Sequence, residues 1–364
     1  MSENSVLTTK CPNCGGPLLF EPKDQKFHCQ YCQSSFTEAE VTAIAAKQEE
    51  AKVKDVESPK SVKVADDSEE TADVGIFLCP SCGAQIVTEA TTASTFCYYC
   101  HNPVTISSRL SGKFLPEKIL PFQIERKDAE TKFLDWVGRK KFVPTAFFDK
   151  KQIQNLSGVY FPYWAVNADL TGELSARAQN FRVWEEGDTE YTETSVYQIE
   201  RAGDTSFKNL VKNALQKNLS DKLVGAVQPF DLSKAIDFKS QYLSGFLTEK
   251  RDIEFADMKG EVEQEFHNYA TSLMENTISG YATVDSVHAN QQITALDEDY
   301  VLLPIWLVTY RESGNNKLFY YAMNGQTGKV AGVLPIDKGK LLRASSLIFL
   351  ILLVLGVIVG YMLS

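Results

Sequence analysis

Eight cysteines carry the strongest chemical signal in this 364-residue chain, and they fall into two sets of identical spacing. Cys11, Cys14, Cys29 and Cys32 read C-x2-C-x14-C-x2-C, and Cys79, Cys82, Cys97 and Cys100 repeat the pattern. Four thiolates suit a tetrahedral Zn2+, and a two-residue spacer lets one tight turn present two sulfurs. Gly15 and Gly83 directly follow the second cysteine of each first pair. Glycine there adopts positive φ without steric cost, which turns backbone N–H groups toward the sulfurs. A redox dithiol or a disulfide fits less well, because each set is complete and the set is doubled. The spacing therefore predicts two Zn2+ per chain. His28 and His101 adjoin ligand cysteines, but each set already has four sulfurs, so both read as surface residues.

The elements that must position these thiols are small. The fourteen residues between the cysteine pairs suffice for a short hairpin, which cannot bury a core, so metal binding would supply the folding energy. The first unit spans residues 1–37 and the second 74–110. Between its cysteines the first carries Lys23 and Lys26 offset by Glu21 and Asp24, whereas the second has Glu89 as its only charge. Its Ile86, Val87, Phe96, Tyr98 and Tyr99 read as a surface for protein rather than for phosphates. Residues 38–73 begin as an Ala/Glu/Lys-rich stretch and turn into Pro, Ser, Asp and Glu after Ser58. Such a composition predicts a flexible acidic tether that leaves the first unit free to search.

Two further segments complete the chain. From Leu347 to Leu363 there is no charge or amide side chain, and the stretch from Ala344 to Leu363, at about 1.5 Å per residue, crosses about 30 Å of hydrocarbon. Lys338, Lys340 and Arg343 precede it and mark the cytoplasmic side. The expectation is a single-pass tail anchor over residues 344–364 in the cell membrane, with the N-terminal bulk in the cytoplasm. Gly356 and Gly360 form a small-xxx-small pair through which two such helices could form a homodimer. The central region, 114–335, reads as mixed α+β. Helices are expected over Asp128–Lys141, Thr205–Leu219 and roughly Ile253–Ile278. Residues 158–186 read as two strands turning at Asp169–Glu173, with a third over 191–200 and four more after Tyr281. "VYFPYWAV" (159–166) and "VLLPIWLV" (301–308) share a Pro-x-Trp centre, which predicts an internal two-fold repeat. "NGQTGKVAG" lacks the order of a phosphate loop and reads as a turn.

Composition narrows the function. Acids outnumber bases 47 to 37, for a net charge of −10. A nucleic-acid binder draws most of its affinity from Lys and Arg, so nucleic acid is disfavoured as a partner. No cysteine lies outside the two sets and MSENSVLTTK has no apolar run, which argues against a disulfide-stapled secreted protein. His267 and His288 belong to no recognisable catalytic set, and no nucleotide fingerprint or H-E-x-x-H is present, so the chain reads as a non-enzyme.

As a set, the doubled C-x2-C units, "YFPYW", "LPIWLVTY", "NGQTGKVAG" and the apolar tail resemble a family of Firmicutes TFIIB-type zinc-ribbon membrane proteins. Its members are often labelled primosomal helicase-like, and some are encoded beside PspA-type and SPFH-domain envelope-stress proteins. The resemblance implies α+β architecture with two four-cysteine zinc ribbons. It also implies a membrane-anchored adaptor that recruits such proteins at the cytoplasmic face of the lipid bilayer. Only the eight cysteines carry over residue by residue.

Overall fold

A computed structural model describes residues 6–7, 9–44, 74–97, 100–144, 156–216, 225–311 and 318–363. Most of the expected tether, residues 45–73, lies outside these, as do Tyr98 and Tyr99. The chain divides into two units. The first comprises Met1–Pro162, Lys217–Lys250 and Leu302–Ser364, and the second Tyr163–Gln216 and Arg251–Val301.

In the first unit, the first cysteine set sits on β2 (Leu18–Glu21), β3 (Lys26–Cys29) and β4 (Ser35–Phe36), preceded by β1 (Val6–Leu7). The second set sits among β5 (Val74–Leu78), β6 (Gln85–Glu89), β7 (Thr92–Phe96) and β8 (Pro103–Ile106). Beyond them come β9 (Lys118–Ile119) and helix α1 (Arg126–Gly138). Then follow the start of β10 (Ser157–Glu186), β12 (Ile236–Asp237) and β13 (Leu247–Glu249). The end of β14 (Thr283–Arg311) pairs with β15 (Leu318–Asn324), and β15 with β16 (Val330–Val333). Phe133 and Val137 of α1 are buried, and Phe133 and Trp136 both contact the ring of Tyr321 on β15. The aromatic core holds Phe122 stacked on Phe246 at 4.3 Å, with Tyr160 and Trp306 edge-on to Phe122.

The residues leading into α1 are held by three hydrogen bonds. The indole N–H of Trp306 donates to the Ile124 carbonyl at 3.0 Å, and the N–H groups of Gln123 and Ile124 donate to the Gly325 carbonyl. A side chain at Gly325 would come within 2.6 Å of the Phe122 ring, so the close approach requires glycine. The "NGQTGK" stretch is the turn between β15 and β16, organised by buried Asn324, whose side chain accepts from the N–H groups of Gln326 and Thr327.

In the second unit, the continuing β10 pairs antiparallel with β11 (Thr189–Asn213) from Tyr163↔Asn213 to Glu186↔Thr189. Helix α2 (Phe255–Glu275) packs Met274 against Leu174, Ala176, Ala178 and Ile199. Here too the approach to the helix is held. The Trp164 indole N–H donates to the Ile253 carbonyl at 3.1 Å, and the N–H groups of Asp252 and Ile253 donate to the Ala214 carbonyl.

Two expectations are corrected here. There is no turn at Asp169–Glu173, because β10 runs unbroken for 30 residues. Gly172 serves instead as a close-approach point, where a side chain would meet Gln291 of β14 at 2.7 Å. Likewise, Thr205–Asn213 is strand rather than helix. A register shift between Val166 and Ala168 puts Phe207 opposite Ala168 and Leu210 opposite Val166. That bulge, with Asn209 at φ 61°, sets two same-face apolar residues three apart, the spacing of a helix.

Candidate metal centres

Each cysteine set is presented by two turns of the same construction. The N–H of the fourth residue after each first cysteine returns to that cysteine's carbonyl: Gly15 to Cys11, Gln33 to Cys29, Gly83 to Cys79, His101 to Cys97. All four closing residues have left-handed φ, between 56° and 74°. The sequence names glycine at two of these positions only. Aligning C-Q-Y-C-Q and C-Y-Y-C-H on C-P-N-C-G would have found the other two.

The turns bring four sulfurs together in each set. Cys11 and Cys32 Sγ lie 3.6 Å apart and Cys14 and Cys29 3.4 Å. In the second set both corresponding separations are 3.7 Å. A disulfide would need about 2.05 Å. A tetrahedral thiolate site with metal–sulfur bonds of about 2.3 Å spaces its sulfurs about 3.8 Å apart, so the quartets fit an ion. Among the described residues these are the two His/Cys/Asp/Glu groups arranged to hold one. The first cysteine of each turn is buried and the second more exposed. The Ser34 side chain and then its backbone N–H hold the Cys32 thiol down to about 6. At Cys14 the Gly16 N–H lowers the value, but the Cys29 thiol, then desolvation and the other two thiols, together push the group up to about 12. Neither histidine competes as a ligand. His28 Nε2 lies 2.8 Å from the Asp24 carboxylate, and His101 is exposed.

The first ribbon is not a free head. Phe20 and Phe27 pack on Tyr242, and Phe20 also reaches Phe246. The Phe20 N–H donates to the Ser244 carbonyl at 3.0 Å. Glu38, just beyond the ribbon, accepts from Lys239 and from the Tyr242 hydroxyl, and the Lys239 ammonium holds its carboxyl below the usual range. The Gln25 amide donates to the Phe122 carbonyl at 2.8 Å. The expected freedom to search is thus replaced by docking, carried by aromatic residues whose partners lie some two hundred positions downstream.

The second ribbon is joined to the same unit by strand pairing. Ser94 and Thr92 of β7 pair with Thr248 and Glu249 of β13, and β8 pairs with β1, the strand that precedes the first ribbon. Arg109 stacks on Phe77 at 4.7 Å and donates to Thr88, Glu89 and Thr92 across the hairpin. Of the apolar residues between the second set's cysteines, Ile86 is fully buried beside Cys79 and Cys97, whereas Val87 is exposed. Phe96 lines a cleft of about 370 Å3 with Leu19, Phe20, Phe246 and Trp306. His267 lies in α2 and His288 is exposed on β14, well separated in sequence from both quartets.

Over 339 residues the chain is 30% identical to YdjG, an uncharacterized protein of Bacillus subtilis (strain 168), with 92% of each chain covered. The chain belongs to the YdjG family. No family model matches it, and no solved structure does. In this YdjG-family chain the C-terminal helix α3 (Lys338–Leu363) is long and apolar enough to cross a membrane. Its base is tied down, with the Asp337 N–H donating to the Phe142 carbonyl and the Lys340 ammonium to that of Val143.

Proposed function

We propose that this protein is a membrane-anchored adaptor whose two cysteine quartets hold Zn2+ as structural cross-links. Cys11, Cys14, Cys29 and Cys32 would hold one ion, and Cys79, Cys82, Cys97 and Cys100 the other. Zinc in such closed sites supplies folding energy rather than catalysis. The observation that carries the reading is the way both ribbons are built into the unit that ends in α3. Metal-stapled elements brace a platform, and α3 fixes that platform at a bilayer. Anchoring raises the effective concentration of any partner at the same surface. The acidic balance favours protein over nucleic-acid partners. PspA-type and SPFH-domain proteins are the candidates the family resemblance supplies.

We also infer that the platform is an internal repeat. What supports this is the matched set of bonds before each helix: Trp306, Ile124 and Gly325 in one unit, Trp164, Ile253 and Ala214 in the other.

The test is co-purification of the full-length protein from detergent-solubilised membranes, with and without nuclease, beside a form lacking α3. A nuclease-resistant set of membrane-associated proteins, lost with α3, is expected. Nuclease-sensitive material would replace the adaptor with a tethered nucleic-acid binder.

A further inference from the structure

We propose that the open face of β10 and β11 docks a protein surface that is apolar at its centre and cationic at its edge. In the paired stretch from Ala168 to Glu186, alternate residues face opposite sides. One side carries Leu174, Ala176, Ala178 and Ile199 and is covered by α2. The other carries Asp169, Glu173, Glu185, Glu190, Glu200 and Asp204, all exposed, against one cation, Arg177.

Toward its tip this hairpin loses its third strand. The Ala282 N–H donates to the Gln179 carbonyl, β14 starts at Thr283, and among the described residues β10 and β11 pair only with each other from Phe181 outward. A two-stranded ribbon is marginally stable in water without a covering layer. On the helix side two rings of the arm cover each other in part, Trp184 and Tyr191 remaining 41% and 43% exposed. Trp184 stacks on the opposing Tyr191 at 5.5 Å, and the Arg182 guanidinium lies 5.6 Å from the Trp184 ring. Among the described residues no ring pair covers the open side. Phe181, Val183 and Val196 are 48%, 56% and 51% exposed. Next to Val183 on that side, Glu185 stands directly opposite Glu190. Like charges directly across a strand pair destabilise it.

A partner with an apolar centre and flanking Lys or Arg would cover the three side chains and neutralise the Glu185–Glu190 pair. The sign of the face disfavours the other occupants. Nucleic acid and anionic lipid would meet carboxylates, and so would a second copy presenting the same face. This rests on the adaptor reading only in requiring a protein partner; it does not need the ribbons.

The test places a photo-crosslinking residue at Thr192, on the open side, or at Ser195, on the helix side, of the full-length chain in its native membrane. Adducts are expected from position 192 and not from 195, to a peptide holding apolar residues beside Lys or Arg. The double substitution Glu185→Lys, Glu190→Lys exchanges one like-charged pair for another, leaving the hairpin's own stability unchanged, yet should lower the yield about tenfold. Glu190→Lys alone creates an attractive cross-strand pair, so it should slow amide exchange in the arm while still weakening capture. No adduct, equal adducts from both positions, adducts to a second copy or to lipid, or indifference to charge reversal would each overturn the proposal. Loss of the co-purifying set with these adducts retained would instead remove the ribbon-based adaptor reading alone.

Discussion

Gln33 and His101 hold a backbone conformation that costs a side-chain-bearing residue about 1 kcal/mol relative to glycine. Their counterparts in the same turns are Gly15 and Gly83, and the space around those glycines is open, with nothing within 4 Å of an added carbon. The difference is therefore purely conformational. Gln33→Gly and His101→Gly should each stabilise the metal-loaded protein by about 1 kcal/mol, and Gly15→Ala and Gly83→Ala should weaken it by a similar amount. Thermal unfolding in the presence of excess metal would show the midpoints moving in opposite directions. Midpoints unmoved by either exchange would mean that the ion alone dictates the turns. At this scale the sequence is most readable, because thiol, spacing and glycine each announce a turn. Gln33 and His101 are harder to read, because the turn tolerates them at a cost rather than demanding them.

At the scale of elements, legibility falls where two periodicities meet. The helices α1 and α2 are readable in the sequence, and their apolar residues Phe133, Val137, Val262 and Phe266 are buried. The stretch after Thr205 mimics a helix because a bulge at Asn209 gives a strand the apolar spacing of one. Asp169–Glu173 mimics a turn because glycine in mid-strand marks the close passage of a neighbour as readily as a reversal of the chain. Docking of the first ribbon leaves no trace in the local pattern, since Tyr242 and Glu38 contact each other across the fold and not along the chain. One consequence is measurable in β13. On one edge its hydrogen bonds run to β7, whose last residue immediately precedes Cys97, and on the other to β10. Cys97→Ser should therefore speed amide exchange at the β7-facing N–H groups of Leu247–Glu249 by about tenfold or more, while α2 keeps its protection. Unchanged exchange in β13 would show that the sheet holds the ribbon and not the reverse.

Taken whole, the molecule interleaves its segments. The first unit draws on three separate stretches of chain and the second on two. Composition allows two or three domains strung in order, and a linear reading has no means of showing that a strand before the first cysteine pairs with one after the last. The same interleaving sets a clock on biogenesis. Ile124 and its neighbour are translated long before Gly325, the acceptor of their N–H groups, and at about 5–20 residues per second the interval is roughly 10–40 s. Chains halted after Lys250 should remain protease-sensitive in α1, and chains halted after Val333 should resist, as pulse proteolysis of the two truncations would reveal. Resistance in the shorter chain would place closure earlier. The residues that complete the first unit are thus followed almost at once by α3, so its closure and the appearance of a helix long and apolar enough to cross a membrane fall in the same short span of synthesis.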